Sequence, residues 1–142
     1  MKSIIEPIIN EISPYSEKIN RFIRNPDELN VYVKNGLRES SVGDKNALIN
    51  PSIDFEKVDG LGRANSARMQ HGLPPIDENG KPFNLHHIGQ KGNSPLSELP
   101  EDIHRANSAN LHELSNPTEV HNEKNNWDKQ RENYWKARSK NC

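Results

Sequence analysis

Apolar and aromatic residues are scarce in this sequence. Of 142 residues, 31% are hydrophobic and 6% are aromatic, whereas an average globular domain is about 45–50% apolar when glycine is counted. The length suits one domain of ordinary size, but its hydrophobic core must be small. We therefore expect a second source of order, such as a bound metal ion or a tightly bound partner, or else loose termini.

Cysteine and long apolar runs are also lacking. Cys142 is the single cysteine, which excludes an intramolecular disulfide framework and any zinc site built from cysteines. No apolar stretch approaches the roughly 18 residues of a membrane-spanning helix. Near the start, Glu6, Pro7 and Glu11 interrupt the isoleucines before a signal-like core can form. The chain as given is expected to be soluble and untargeted, so an export address would lie elsewhere in the gene product.

Neither sign of charge predominates in the whole chain. There are 19 Lys and Arg residues against 20 Asp and Glu residues, a formal net charge of -1, and this balance does not indicate nucleic-acid binding. Between Trp127 and Cys142, however, basic residues outnumber acidic ones. A short basic helix can bind phosphates even in a nearly neutral protein, although a solvated helix face explains such charges equally well.

The first half of the chain predicts short helices followed by strands. Isoleucines at helical spacing indicate two helices separated at Pro14. The sequence NPDEL predicts a third helix, capped by Asn25, with Pro26 in its first turn and an end near Gly36. Strand-like pieces follow within Asn46–Phe55.

The second half predicts a hairpin between helices. A short helix with Asn65 as its cap is expected within Gly62–Pro75. Turn residues then lead into a strand, GQKGNSP forms a second turn, and Pro95–Leu99 returns as the partner strand. A helix begins near Pro100, and a last helix is expected from about Glu119 to Ser139.

Four of the six histidines lie between His86 and His112. His86 and His87 are adjacent on the first strand of the hairpin, and neighbouring strand residues point to opposite faces. One ring can therefore bind a metal ion, while the other, turned by local twist or a bulge, reaches the water or phosphate beside it. His104 lies about a turn into the following helix, and a ββα arrangement would bring it against His86.

Imidazole ligands suit zinc and other first-row divalent metals, and an incomplete protein shell leaves positions for water and a phosphate oxygen. A remaining imidazole, with an ordinary pKa of about 6.5, can take a proton from attacking water at neutral pH. These are the ingredients of metal-assisted phosphodiester hydrolysis. An isolated histidine is more often a core or surface residue, and we interpret His71 and His121 in that way.

At these residues the sequence resembles the LHH group of the HNH/endonuclease VII superfamily, nuclease domains found as C-terminal toxins of bacterial polymorphic and contact-dependent inhibition systems. The resemblance rests on Leu85-His86-His87 continuing as IGQKGNSPLSEL, on His104-Arg105, on Leu111-His112 and on QRENYWKAR. The upstream sequences KNALINPSID and GRANSARMQHGLPPIDENGKP are also similar to that group. Coverage is roughly Asn25 to Arg138, and the segment between His104 and His112 is shorter than the family leads us to expect.

The resemblance implies an α+β fold with a ββα-metal (HNH/treble-clef-like) nuclease core and flanking helices. We expect an N-terminal helical segment at residues 1–35 and an LHH/HNH-type nuclease domain at residues 36–142. The implied activity is that of an HNH-family endonuclease, a hydrolase acting on phosphodiester bonds. Its implied cofactor is a divalent metal ion, zinc first, with magnesium, manganese or nickel as alternatives.

The resemblance also implies roles for individual residues. His86 would be a metal ligand and His87 the general base that activates water. His104 and His112 would be catalytic or metal-ligating, either completing the metal site or contacting the scissile phosphate, and their roles stay undivided. Tyr134 and Trp135 could stack on bases, but their spacing with Trp127 favours core packing.

Several arginines are candidates for nucleic-acid contacts, because guanidinium forks match phosphate oxygens. A surface ion pair is the competing role for each of them. They are Arg63, Arg68, Arg105, Arg131 and Arg138, with Arg68, Arg105 and Arg131 as the main candidates.

The leading hypothesis is a toxin nuclease that cleaves DNA. An RNase toxin on the same scaffold, including one that cleaves tRNA, and a non-catalytic module that binds nucleic acid or a partner are the alternatives; the four intact motif histidines argue against the last. The resemblance implies a cognate immunity protein, which we expect to be acidic and to cover the histidine pair or the neighbouring substrate groove. It also implies export as the C-terminal part of a larger bacterial toxin, acting in the target-cell cytoplasm.

Overall fold

The computed structural model describes residues 5–90, 94–108 and 127–141. Its helices are α1 (Ile5–Ile12), α2 (Glu17–Asn20), α3 (Pro26–Lys34), α4 (Asn65–Gln70), α5 (Glu101–Ala106) and α6 (Trp127–Arg138). Its strands are β1 (Arg38–Val42), β2 (Lys45–Ile49), β3 (Phe83–His87) and β4 (Leu96–Pro100). The predicted α+β class is confirmed. None of the described helices is long and apolar enough to cross a membrane.

Two hairpins lie side by side in one sheet of order β1-β2-β4-β3. Strands β1 and β2 are antiparallel, as are β3 and β4, and the parallel pair β2 and β4 joins the hairpins. Helix α5 follows β4 directly and contacts both strands of the second hairpin. The predicted succession of strand, returning strand and helix is therefore present.

The N-terminal helices form where the sequence predicts them. Pro14 lies between α1 and α2. At the start of α3 the Asn25 Oδ1 atom accepts a hydrogen bond from the Glu28 backbone N–H at 2.9 Å, and Pro26 occupies the first turn. Past the end of that helix, Gly36 adopts a φ of 70°, a conformation that glycine adopts without steric cost. The predicted cap and end of α3 are confirmed.

Two details differ from the prediction, and a third lies outside the described residues. Strand β1 was not expected, because its sequence RESSV is largely exposed and lacks the apolar alternation that marks a half-buried strand. Asn65 does not cap α4; Ala64 holds that position, and the Asn65 side chain instead bonds the backbone N–H and C=O of Ile76. The expected start of the last helix at Glu119 lies outside the described residues, and α6 is described from Trp127.

The hydrophobic core has two parts, one on each face of the sheet. On one face, helices from the first 35 residues pack against strands β2 and β4, and Ile19, Tyr32, Leu48 and Leu99 belong to the same cluster of buried residues. On the other face, α4 and α6 pack on the sheet. The division into residues 1–35 and 36–142 stays a prediction, although the first segment shares its core with the sheet.

The aromatic residues of α6 belong to the second part of the core. Trp135 is 0% exposed and Tyr134 5% exposed, and both pack with Trp127 against the sheet. Core packing, the favoured interpretation, is confirmed for these side chains.

Candidate active site

Strand β3 sends its two histidines to opposite faces of the sheet. The His86 ring lies 5.3 Å from the His104 ring and 6.4 Å from the Tyr32 ring, measured between centroids. The His87 ring lies 4.6 Å from the Trp127 ring, in the part of the core that α6 covers. The pairing of β3 with β4 runs without interruption through both histidines, so no bulge turns the two rings towards each other.

His104 approaches His86 because α5 folds back over the hairpin. The predicted proximity of these two rings is confirmed, while their roles as metal ligands stay a prediction. Asn84, which shares the His86 face of β3, places its Nδ2 atom 3.1 Å from His104 Nδ1. In the opposite amide orientation, Oδ1 would accept a hydrogen bond from the Nδ1–H group, which leaves the lone pair on Nε2 available to a metal ion. A hydrogen bond of that kind commonly orients metal-bound histidines.

Both histidines of the pair are almost fully buried. His86 is 3% exposed and His87 is 1% exposed, whereas His104 is half-buried. The Ser97 hydroxyl donates to the His86 carbonyl at 3.1 Å and ties this point of β3 to β4. Strand β4 therefore helps to hold the His86 backbone in place.

The turn after β3 is anchored by a carboxylate from α3. Glu28 is 0% exposed, and its Oε2 atom accepts hydrogen bonds from the Gly89 backbone N–H at 2.9 Å and from the Tyr32 hydroxyl. Its other oxygen accepts from the Arg24 backbone N–H at 2.8 Å. Burial raises the pKa of the Glu28 carboxyl, and these hydrogen bonds oppose the rise. Because Gly89 lies two residues after His87, this cluster fixes the end of the histidine strand.

Glycine is required at position 89. Its φ is 73°, and an added Cβ atom would lie 2.1 Å from the backbone oxygen of Phe22. No side chain fits that space without moving the backbone. Helix α3 and the segment before it thus pack against the turn that follows the histidine pair, a contact that no local sequence pattern predicts.

A second buried carboxylate lies on the His87 face. Glu98 accepts a hydrogen bond from the Asn50 backbone N–H at 2.7 Å, from Arg138 Nε at 2.8 Å and from the Tyr134 hydroxyl at 2.6 Å. Burial raises the pKa of this carboxyl, and the Arg138 charge opposes the rise. Arg138, one of the arginines considered for phosphate contact, is therefore part of the core in this structure.

Arg63 and Arg68 share one carboxylate partner. Asp59 Oδ2 lies 2.9 Å from Arg63 Nε and 2.6 Å from Arg68 Nη1. The Arg63 backbone N–H and the two guanidinium groups hold the pKa of Asp59 well below its usual range. Arg68 Nε also donates to the Pro74 carbonyl at 2.9 Å. The Arg68 guanidinium group is therefore already bonded to groups of its own loop. The contact of Arg68 with phosphate stays a prediction.

Arg105 and Arg131 form ion pairs along their own helices. Arg105 lies 3.1 Å from Glu101 in α5, and Arg131 lies 3.1 Å from Asp128 in α6. Their side chains are 74% and 47% exposed. Exposed ion pairs of this kind contribute about 0–1 kcal/mol to the stability of the fold. A phosphate can therefore replace the carboxylate at either arginine with little loss of stability.

The described residues bring together two candidate metal ligands. His86 and His104 are donors of the kind that zinc and other first-row ions prefer. Within residues 5–90, 94–108 and 127–141, no three side chains from His, Cys, Asp and Glu lie close enough together to hold an ion. His112 lies outside the described residues. The donors that the structure brings together fit such an ion in kind, and a further ligand is needed to complete the site.

A model of the LHH family, described as a nuclease of the HNH/ENDO VII superfamily with conserved LHH, matches residues 64–141. This match covers more than half of the chain and includes the Leu85-His86-His87 motif on β3. The chain belongs to the LHH family. It is therefore a nuclease of the HNH/ENDO VII superfamily, and the predicted family and enzyme class are confirmed. No solved structure matches the chain significantly. Helices α1–α3 and strands β1 and β2 of this LHH nuclease precede the matched region.

Proposed function

We propose that this LHH nuclease is a metal-dependent endonuclease toxin that hydrolyses phosphodiester bonds, with DNA as the favoured polymer. The observation that carries the proposal is the contact between His86 of the matched LHH motif and His104 of α5, at 5.3 Å between ring centroids. A strand histidine and a helix histidine on one face of a ββα unit supply two imidazole ligands from two elements.

His86 and His104 would hold the divalent ion, zinc first, and His112 would complete the site or contact the scissile phosphate. When bound, the ion supplies positive charge where negative charge develops on the phosphate and on the leaving oxygen. The Asn84 amide, 3.1 Å from His104, orients that ring. One of the two described ligands, His104, therefore has a hydrogen-bond partner that sets the orientation of its ring.

His87 would take the proton from the attacking water. Its position on the opposite side of β3 keeps its ring away from His104, so a neutral imidazole there is not consumed as a ligand. Because the ring is 1% exposed beside Trp127, catalysis requires that this end of the hairpin open when substrate binds. Arg105, exposed on the helix of His104, would contact phosphate, as would Arg68 and Arg131 after leaving their carboxylates.

The test is incubation of the purified protein with plasmid DNA and with total RNA, each with and without EDTA. The proposal predicts endonucleolytic cleavage of plasmid that EDTA abolishes, and no cleavage by His87→Ala. Cleavage of RNA but not of plasmid would identify RNA as the substrate instead of DNA. If EDTA does not inhibit that RNA cleavage, the chemistry runs through the 2′-OH. If neither polymer is cleaved with any of the divalent ions tested, the proposal is contradicted.

The toxin role extends the proposal to the cell. The nuclease would be exported as the C-terminal part of a larger bacterial toxin, act in the target-cell cytoplasm, and be neutralised in the producer by an acidic immunity protein. Cytoplasmic expression without that partner should be lethal, and His87→Ala should be harmless. Growth at the normal rate with an active nuclease in the cytoplasm would contradict this role.

Occlusion of the site is the expected mode of neutralisation. An acidic partner that covers the histidine pair or the neighbouring substrate groove competes with nucleic acid for the same surface. The complex should therefore fail to retain an oligonucleotide that free His87→Ala protein binds. Equal retention by the complex and by the free variant would mean that inhibition takes another route.

A further inference from the structure

Two grooves lie at opposite ends of the β3–β4 hairpin and differ in charge. The first, which we call the basic groove, measures about 410 Å³, and its lining includes Lys18, Arg21, Phe22, Asp44, Lys45 and Pro95. The second, the acidic groove, measures about 630 Å³ and borders Phe83 and Pro100, where β3 begins and β4 ends.

The basic groove is at the histidine end of the hairpin. Pro95 forms part of its wall, and the Pro95 carbonyl accepts a hydrogen bond from the Ile88 backbone N–H at 3.0 Å. The next residue, Leu96, is the strand partner of His87. Since paired strands lie about 4.8 Å apart and rise about 3.3 Å per residue, the groove begins within about 10 Å of the His87 backbone.

Positive charge predominates in the basic groove. Lys18, Arg21 and Lys45 face a single acid, Asp44. Among the ion pairs formed between described residues, none involves these three cations. This contrasts with Arg68, Arg105 and Arg131, each of which has a carboxylate within 3.1 Å.

Lys45 is the least solvated of the three cations. Its side chain is half-buried at the start of β2, and burial lowers the pKa of its ammonium group. A bound phosphate would supply the opposite charge that this partly desolvated ammonium group lacks. Phe22 adds an aromatic wall, with the Arg21 guanidinium 5.1 Å from the centre of its ring, and aromatic rings beside cations also suit exposed bases.

The acidic groove is unsuited to the same ligand. Four acids line it against one lysine, Lys57; they are Asp54, Asp77, Glu78 and Asp102. Although it is the larger of the two, its carboxylates repel a polyanion at this end of the hairpin. A nucleic-acid strand that approaches the histidines is therefore drawn towards the end where β3 terminates.

We propose that the basic groove of Lys18, Arg21 and Lys45 binds the phosphate backbone of the nucleic-acid substrate beside the histidine pair. This role rests on the proposed nuclease function. Its three cations come from α2, from the residue after that helix and from the start of β2, all of which precede the region matched by the LHH family. Contacts to phosphates position a substrate without reading its sequence, so the groove would hold DNA of any sequence in register with the site.

The test compares two double variants in a His87→Ala protein, which binds substrate without cleaving it. Lys18→Gln with Lys45→Gln removes one exposed and one half-buried lysine from the basic groove. Lys34→Gln with Lys57→Gln is the matched control, since Lys34 is exposed and Lys57 half-buried elsewhere on the surface. Fluorescence anisotropy with a labelled oligonucleotide gives the affinity of each protein at several salt concentrations.

The groove variant should bind every oligonucleotide sequence more weakly, by a similar factor, and the slope of log affinity against log salt should shrink by about 2, one for each lost phosphate contact. The control should keep the slope of the His87→Ala protein. Melting temperatures equal to that of the His87→Ala protein confirm that both variants are folded. If the groove variant is not folded, Lys18→Gln alone replaces it in the binding measurement.

Two failures can be told apart. If the wild-type protein cleaves plasmid and the groove variant binds like its control, the groove proposal is overturned while the proposed function stands. If the wild-type protein cleaves neither polymer and the His87→Ala protein binds neither, the proposed function fails, and the groove proposal fails with it. Restored affinity in a Lys18→Arg and Lys45→Arg variant would support a role for charge rather than for side-chain shape.

Discussion

Each face of the β3–β4 hairpin holds one histidine and one buried carboxylate, and the two carboxylates have similar partners. Glu28, on the His86 face, accepts hydrogen bonds from two backbone N–H groups, a tyrosine hydroxyl and, at 3.4 Å, Arg24 Nε. Glu98, on the His87 face, accepts from one backbone N–H group, a tyrosine hydroxyl and Arg138. They differ in what they fix: Glu28 fixes the turn directly after the histidines, and Glu98 fixes α6 and the residue after β2.

This difference bears on how two adjacent histidines can divide a reaction. Regular strand alternation places His86 beside His104 and separates His87 from both. A general base must come within hydrogen-bond reach of the water that attacks the phosphate at the metal, so His87, on the opposite face, can act there only after the buried end of the hairpin opens. The His86 face carries the metal chemistry in this account, and the His87 face supplies the base.

The largest expected effect distinguishes the two histidines by cleavage rate. His87→Ala removes the general base, a group that contributes about 10²–10⁴-fold, and extra metal should not restore the activity. His86→Ala removes a ligand, so its cleavage should recover in part as the metal concentration rises. Single-turnover plasmid cleavage over a metal series measures both. Recovery of His87→Ala by metal, with none for His86→Ala, would reverse the two roles.

A pair of glycine variants tests how tightly the His86 face is packed. Gly89 and Gly36 have φ values of 73° and 70°, but an added Cβ atom meets the Phe22 oxygen at 2.1 Å in the first case and nothing within 4 Å in the second. Gly36→Ala should lower the free energy of unfolding by about 1–2 kcal/mol. Gly89→Ala should lower it by about 1–3 kcal/mol more than Gly36→Ala does. Urea unfolding of both proteins gives the comparison. Equal losses would show that the turn after β3 is not held against α3.

The two tyrosines give a smaller and more closely matched test. Tyr32→Phe and Tyr134→Phe each remove a hydroxyl that donates to a buried carboxylate, and each should cost about 1.5–3 kcal/mol of stability. Only Tyr32→Phe should also slow cleavage, since Glu28 and Tyr32 lie at the end of the histidine strand. Thermal unfolding and plasmid cleavage are measured on both proteins. Loss of activity in Tyr134→Phe alone would overturn the distinction between the faces.

The pH dependence of stability should change in one direction for both carboxylates. Burial raises the pKa of Glu28 and of Glu98 above 4.5, so the folded state keeps each proton to a higher pH than the unfolded state. Their contribution to stability is present below pH 4.5 and is lost as the pH rises through the folded-state pKa. Glu28→Gln and Glu98→Gln should each flatten this decline in urea unfolding between acid and neutral pH. A steeper decline in either variant would contradict the direction of the shift.

The sequence predicts the hairpin and the helix that carry His86 and His104, because turn residues and a helix start mark them locally. It also predicts that the two histidines of the pair diverge, which follows from strand periodicity. It does not predict β1, whose exposed edge lacks apolar alternation. Nor does it predict the contact of Glu28 with Gly89, because no local rule relates residues so far apart in the chain.

Calorimetric titration of metal-stripped protein with zinc tests the central claim most directly, because it asks which face of β3 binds the ion. The account predicts that wild-type protein and His87→Ala bind one ion with nearly equal affinity, while His86→Ala binds markedly more weakly. Loss of the ion from His87→Ala with retention by His86→Ala, or failure of the wild-type protein to bind any divalent ion, would contradict it.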